Sequence, residues 1–193
     1  MLTVCLFVTT AVVPQSVSAA ETAVRFPITV TEDYNELYDL LGLINNARKE
    51  KGLPAFTLDA GLTDYAMQRS CESTIQFAHE RPDGQPLESA VSGGVFAENI
   101  AQGQQSALSV FLDWSVSEGH YRTMMHSGNL YCGIGCIKYK GCYFWTLILA
   151  EERVKTDYKI LSSGSRQANR TLEVLPSFLK SKCMFSRWPQ TVQ

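Results

Sequence analysis

The histidines are the residues of this chain whose number and positions most strongly suggest a chemical site. Only 3 histidines occur in 193 residues, and all of them lie within or just after one stretch. The stretch begins at His79 and ends at His120, with His126 close behind, and it also contains Glu98 and Glu118. Imidazole nitrogens and carboxylates are common ligands of zinc and similar divalent ions. If the fold brings them together, these residues could form a divalent-metal site with His79 and His120 as the metal ligands.

A metal site is one of two interpretations of these histidines. His79 and His120 are too far apart in the chain for a local motif such as HExxH, so their spacing supports a metal site only weakly. In the alternative, one histidine caps a helix end and the other is half buried and hydrogen-bonded. A glutamate such as Glu98, placed among apolar neighbours, needs a polar partner if it is buried. A histidine is the natural partner under both interpretations.

No pattern in the sequence indicates nucleophilic catalysis. There is no G-x-S-x-G, and Ser117, although close to His120, fits the end of a helix better than an activated nucleophile. We therefore assign no catalytic residue, and we keep Ser117 and Glu118 as candidate cleft residues because they lie beside His120 in the chain.

Composition bounds the class of protein. A chain that is 45% hydrophobic and 19% charged can bury one sizeable core, and a second full domain would be cramped. The formal net charge of -2 at pH 7 provides no polybasic surface. Nucleic acid and anionic membrane surfaces are therefore not expected as partners.

The first twenty residues predict a secretory signal peptide. They contain no charged side chain, and the apolar run from Val4 to Val13 is too short to span a bilayer. The small residues Val17, Ser18 and Ala19 follow it as a cleavage pattern. We expect a secreted, extracellular protein with no membrane span after cleavage.

The cysteines are disulfide candidates in such a compartment. Removal of the signal peptide would leave an odd number of them, namely Cys71, Cys132, Cys136, Cys142 and Cys183. Cys136 and Cys142 could form a disulfide across a hairpin if the register sets them opposite each other. Cys132, Cys136 and Cys142 could instead form a zinc cluster, which an oxidising compartment disfavours.

Hydrophobic periodicity and capping residues predict three helices. Asp33 caps the first, which stops at Lys51 and Gly52, and Asp59 caps the second, which runs toward Phe77 and delivers His79 at its end. Ser106 caps the third, which should end near residues 118–119, with a further helical turn from His120.

A hairpin follows, with strands over residues 132–139 and 142–150. The second strand is apolar on both of its alternating faces except at Thr146, so the sheet should lie between two helical layers. The expected organisation is a signal peptide (1–20), a lead or linker (21–32), the folded domain (33–152) and a C-terminal extension of uncertain order (153–193).

Several short motifs, taken together and in order, resemble the CAP superfamily of cysteine-rich secretory proteins, antigen 5 and pathogenesis-related 1 proteins, also called SCP domains, and its bacterial branch in particular. The resemblance covers about residues 37 to 150. The motifs are LINNARKEKGLP (43–54), HERPDG (79–84), AENIAQG (97–103), Trp114 with SEGH (117–120), GIG (133–135) and YFWT (143–146). It implies an α+β fold, a three-layer α-β-α sandwich with a central antiparallel sheet, in which His79, Glu98 and His120 meet in a cleft.

One position departs from the family pattern. Many eukaryotic members carry a glutamate three residues after the tryptophan, where this chain has Ser117, with Glu118 one residue later. Bacterial members commonly have serine followed by proline there, so Glu118 is unusual. His126 lies where bacterial relatives often have asparagine.

Three hypotheses for function remain open. In the first, the protein is a secreted, non-catalytic module whose cleft binds zinc or another divalent metal and a small or lipid ligand. In the second, it is a metal-dependent hydrolase of peptide or cell-wall material, with Glu98 or Glu118 as general base. In the third, it is an extracellular protein-interaction module, with the loop at 85–94 and the tail from residue 153 carrying the contacts.

Overall fold

The computed structural model describes residues 21–87, 91, 97–128 and 130–183, the last four of these as backbone only. The predicted signal peptide lies outside the described residues, as does most of the loop at 85–94. None of the described helices is both long and apolar enough to cross a membrane.

The described chain forms a sheet with helices on both faces. The elements in chain order are β1 (Val24–Asp33), α1 (Tyr34–Glu50), β2 (Thr57–Leu58), α2 (Ala60–Ser73), β3 (Ala97–Gln102), α3 (Ala107–Val116), α4 (Glu118–Met124), β4 (Tyr131–Tyr139), β5 (Cys142–Ala150), β6 (Ser165–Val174) and α5 (Pro176–Cys183). The sheet order is β3-β5-β4-β1-β6, and the short β2 pairs with β4 in parallel, whereas the other pairs are antiparallel.

Three helices begin at the residues that the sequence predicts. The Asp33 carboxylate accepts from the Glu36 amide, and the Asp59 carboxylate accepts from the Leu62 amide. Ser106 caps α3 through the Ser109 amide. Each side chain satisfies an amide that has no partner inside the helix.

Helix α2 covers one face of the hairpin β4–β5 at very short range. A side chain at Gly133 or Gly135 would collide with the α2 backbone at Leu62 or Ala66. On the same face the hydroxyl of Ser70 donates to Thr146, at 2.8 Å between the oxygens. The glycines therefore let the helix backbone approach the sheet, and Thr146, the polar exception in its strand, is satisfied by the helix.

The opposite face of the hairpin carries the larger core. Ile134 and Leu147 are paired across the strands and fully buried, as are the neighbouring pair Cys136 and Trp145. They pack with buried residues of α1 and α3, including Trp114. Helices on both faces of a mostly antiparallel sheet confirm the three-layer α-β-α sandwich.

Two of the expected boundaries are wrong. The predicted linker at 21–32 contains most of β1, which pairs along its whole length with β6 from the predicted C-terminal extension. That extension also contains α5. Strands β1 and β6 each have many exposed residues, so their sequences carry only a weak hydrophobic pattern. Their pairing joins the two ends of the domain and therefore has no local sequence signature.

The hairpin disulfide prediction is also wrong. The register sets Tyr139 opposite Cys142 and Trp145 opposite Cys136, so the two cysteines do not face each other. Cys71, Cys132, Cys136 and Cys142 are all free, and burial raises the pKa of the Cys71 and Cys132 thiols to about 12. These buried thiols stay protonated and behave as small apolar side chains.

Gly135→Ala is expected to destabilise the fold by about 1–3 kcal/mol, because the new Cβ would lie 2.2 Å from the Ala66 carbonyl oxygen and α2 would have to move. Gly42→Ala in α1 is the matched control. Its Cβ meets nothing within 4 Å, so it should stabilise by about 0.5–1 kcal/mol. Urea denaturation of both variants checks this; equal effects of the two substitutions would contradict the close α2–sheet contact.

Candidate functional site

A cleft of about 480 Å³ lies at the β3 edge of the sheet. Four parts of the chain line it: the loop after α2 with His79, strand β3 with Ile100, helix α3 with Trp114, and the start of α4 with His120. The structure therefore brings the two predicted metal ligands to one cavity. Their placement depends on different neighbours.

His79 is oriented by a buried carboxylate. Its Nδ1 lies 2.8 Å from Oε2 of Glu98, whose side chain is 1% exposed. Because Arg69 donates from Nε to Oε1 of Glu98 at 2.9 Å, the carboxylate is an ionised acceptor, and His79 donates its Nδ1 proton. In the neutral tautomer that carries its proton on Nδ1, His79 has its Nε2 lone pair left for a ligand, and the side chain is 61% exposed.

The position of His79 differs from the prediction. Helix α2 ends at Ser73, so His79 lies in the following loop and not at the helix end. The helix dipole therefore has little effect on the imidazole. The loop is held by an ionic network that begins on α2.

That network was missed at the sequence level. Arg69 is fully buried and pairs with both Glu98 and Glu72, and Glu72 in turn binds Arg81, which also pairs with Asp83. An arginine and a glutamate three positions apart on a helix are a common surface pattern, so nothing in the local sequence marks this pair as buried. The network ties α2 to the HERPDG loop and to β3.

His120 is held mainly through its backbone and by aromatic packing. Its carbonyl accepts from Nδ2 of Asn99 at 3.0 Å, and its ring centroid lies 6.1 Å from that of Trp114. Burial and then the neighbouring His79 lower the pKa of His120. The imidazole is thus biased toward the neutral form, the form that can act as a ligand.

The other predicted cleft residues differ in position. Ser117 lines the cavity between α3 and α4. Glu118 does not: its side chain is 89% exposed and pairs with Arg122 at 2.6 Å, one turn further along α4. His126 also lies elsewhere, with its Nδ1 accepting from the Gly128 amide.

Phe77, Gln104 and Asp113 are cleft residues that the sequence reasoning missed. Asp113 lies beside Trp114 in α3, and Oδ2 of Asp113 accepts from Nε2 of Gln104 at 2.8 Å. The apolar periodicity of α3 indicates only the face that packs in the core. Asp113 is not part of that periodicity, so the pattern gave no sign that it lines the cleft.

The described residues do not form a complete metal site. Within the described ranges, no group of three or more His, Cys, Asp or Glu side chains could hold an ion together. The carboxylate that orients His79 is the supporting group that metal-binding histidines commonly have. Any remaining ligands of an ion would have to come from solvent or from a bound molecule.

Comparison with known proteins identifies the fold. The chain is 29% identical over 103 residues to the uncharacterized protein YkwD of Bacillus subtilis (strain 168), a match that covers 50% of this chain and 40% of that protein. This chain therefore spans less than half the length of this relative.

Two solved structures share the architecture at 22% sequence identity. One is an extracellular protein containing an SCP domain from Bacillus anthracis str. Ames (TM-score 0.51, covering 60% of this chain and 40% of that one). The other is a cysteine-rich secretory protein from Staphylococcus aureus subsp. aureus Mu50 (TM-score 0.52, covering 62% and 40%). At this identity the likeness concerns the fold alone.

The sequence model of the cysteine-rich secretory protein family matches residues 41–149, more than half of the chain. The matched segment runs from α1 to the end of β5 and contains every residue of the cleft. The sandwich fold and the ordered sequence motifs agree with this family match. The chain therefore belongs to the CAP, or cysteine-rich secretory protein, family.

Proposed function

We propose that this protein is an extracellular CAP module whose cleft binds a divalent metal ion, such as zinc, through His79 and His120, and a small or lipid ligand beside it. One observation carries the proposal: both imidazoles line the same cavity, and one of them is oriented by a buried carboxylate. Ile100, Ala101 and Trp114 supply an apolar floor for the ligand.

The chemistry of the two histidines supports a metal ion. Hydrogen bonding of His79 Nδ1 to Glu98 directs the Nε2 lone pair away from the carboxylate. His120 adds a second neutral nitrogen on the same cavity. A bound ion would supply open coordination positions for an oxygen atom of a ligand.

An extracellular location is supported by two observations. Residues 1–20 have the apolar run and the small-residue pattern of a secretory signal peptide. The structural relative from Bacillus anthracis str. Ames is described as an extracellular protein.

The metal-dependent hydrolase hypothesis has less support from the geometry. It assigns the general base to Glu98 or Glu118. Glu98 is engaged by Arg69 and His79, and Glu118 is exposed outside the cleft. A general base must reach a proton of the bound water or substrate, and neither carboxylate is placed to do so.

Isothermal titration with zinc tests the metal proposal. The wild type should bind one equivalent, and the His79→Ala, His120→Ala double variant should show no binding in the same range, because both nitrogen ligands are gone. His126→Ala is the matched control, since it removes a histidine outside the cleft and should leave affinity unchanged. Identical titrations of the wild type and the double variant would refute the proposal.

A further inference from the structure

Besides the histidines, the cleft has a second set of polar side chains. Gln104 and Asp113 line it and share one hydrogen bond, from the Gln104 amide nitrogen to the Asp113 carboxylate. The other atom of that amide, Oε1 of Gln104, is buried and has no hydrogen-bond partner among the described residues. A buried acceptor left unsatisfied costs about 1–3 kcal/mol, so a donor that reaches Oε1 recovers part of that energy.

The backbone of Gln104 is firmly placed. Its carbonyl accepts from the Trp145 indole nitrogen at 2.9 Å, and Gly103, immediately before it, has a φ of 99° that turns the chain out of β3. Only the side-chain amide is adjustable, because its terminal torsion is soft. We infer that the amide can turn over about this torsion and present Oε1 to the cavity without movement of the strand.

The negative charge of Asp113 is not balanced by a nearby cation among the described residues. Asp113 is exposed, and no lysine or arginine in the described ranges lies within ion-pair distance of it. The cleft's other carboxylate differs, since Arg69 neutralises Glu98. A carboxylate and an amide oxygen together present acceptors to a ligand, so the group that suits them carries several donors and a positive charge.

Apolar residues line the same cleft. Ile100 and Ala101 of β3 line the cleft, as does Phe77, which is 51% exposed. An exposed aromatic ring beside a cavity favours an apolar segment or a cation. The adjoining part of a ligand should therefore be hydrocarbon.

We propose that Gln104 and Asp113 form a subsite for a primary ammonium group carried on an alkyl chain, as in an alkylamine or a lysine side chain. In the complex the Gln104 amide turns over and its nitrogen leaves Asp113, so that the ammonium donates one hydrogen bond to the Asp113 carboxylate and a second to Oε1 of Gln104. The alkyl chain lies on Ile100 and Ala101 and against Phe77. This subsite needs no metal ion and stands whether or not the histidines bind one.

Calorimetry and NMR titration of the metal-free protein, kept in EDTA, test the subsite with hexylammonium and with a capped tripeptide that has a central lysine. Asp113→Asn should weaken binding about 10- to 100-fold, the loss expected for one charge-assisted hydrogen bond. Gln104→Met should weaken it about 2- to 10-fold, as for a neutral one. The tighter of the two probes identifies a free amine or a polypeptide as the source of the ammonium.

Asp39→Asn is the matched control, because it removes an exposed carboxylate that lines a different groove, between α1 and α3. It should leave affinity at the wild-type value. Hexanol and a tripeptide with norleucine in place of lysine should bind at least tenfold more weakly than their charged counterparts. Equal binding of charged and uncharged probes, wild-type affinity in Asp113→Asn, or no binding of either ammonium probe would overturn the proposal.

Discussion

Arg69→Met should destabilise the protein by about 3–5 kcal/mol, the cost of removing one partner from a buried ion pair. Arg69 is fully buried, and it neutralises Glu98 and Glu72, which are almost fully buried themselves. Methionine fills similar space but leaves Glu98 with His79 as its one remaining hydrogen-bond partner among the described residues. Glu72 keeps Arg81 as a partner, so most of the cost should come from Glu98.

The comparison for Arg69→Met is Arg122→Met, which breaks an arginine–glutamate pair of similar bond length on the surface. The side chains of Arg122 and Glu118 are 75% and 89% exposed, and water screens such pairs. Urea denaturation should show a shift of less than about 0.5 kcal/mol for this variant. Equal losses of stability in the two arginine variants would contradict a large stabilising effect of the buried Arg69 network.

Arg69→Met should also affect the histidine site. Without the arginine, Glu98 is no longer held in place, and the hydrogen bond to His79 Nδ1 loses its fixed acceptor. The pair Arg69 and Glu98 lies 29 positions apart in the chain and joins α2 to β3. Stability and the orientation of the imidazole therefore depend on the same buried carboxylate.

The elements with local signals were predictable. Asp33, Asp59 and Ser106 each accept a hydrogen bond from the first turn of the helix they were expected to begin. The hairpin turn also lies at the predicted residues, because Lys140 and Gly141 both adopt the positive φ that a two-residue hairpin connection requires. Capping and turn chemistry act over a few residues, which is why sequence reasoning finds them.

Features that depend on distant partners were not predictable in the same way. Pairing of β1 with β6 joins residues near 30 to residues near 170, and no local pattern encodes it. The fate of Glu118 is a further example: its spacing from Trp114 suggested the cleft, whereas the start of α4 turns its side chain to solvent. The family motifs predicted that His79, Glu98 and His120 lie close together. Arg69, which binds Glu98 and stabilises this arrangement, lies outside every motif.

Glu32 is the second site where a single substitution should have a large effect. Its side chain is fully buried in β1 and accepts hydrogen bonds from Arg166 and Arg170 of β6. Tyr34 and Tyr158 donate to the same carboxylate. Four donor side chains, three of them from distant parts of the chain, thus meet at one carboxylate, which fastens β6 to the rest of the sheet.

Glu32→Gln should cost about 3–5 kcal/mol at neutral pH, because two arginines lose their buried counter-charge. Burial alone would raise the pKa of Glu32, but the hydrogen bonds from Tyr34 and Arg170, and the charge of Arg170, outweigh it and hold the pKa below the usual 4.5. A lowered pKa in the folded state means that the ionised carboxylate stabilises the fold fully above pH 4.5. That contribution falls as the pH drops below 4.5 and through the folded-state pKa.

The stability difference between wild type and Glu32→Gln should therefore be constant from about pH 6 to pH 8 and shrink steadily below pH 4.5, as the wild-type carboxylate gains its proton. Urea denaturation across this range measures it. Glu173→Gln, in the surface pair with Arg25, is the control and should show little loss at any pH, since both side chains are well exposed. A difference that stayed constant down to pH 3 would show that the effect is one of shape, and that the charge of Glu32 does not fasten β6 to the sheet.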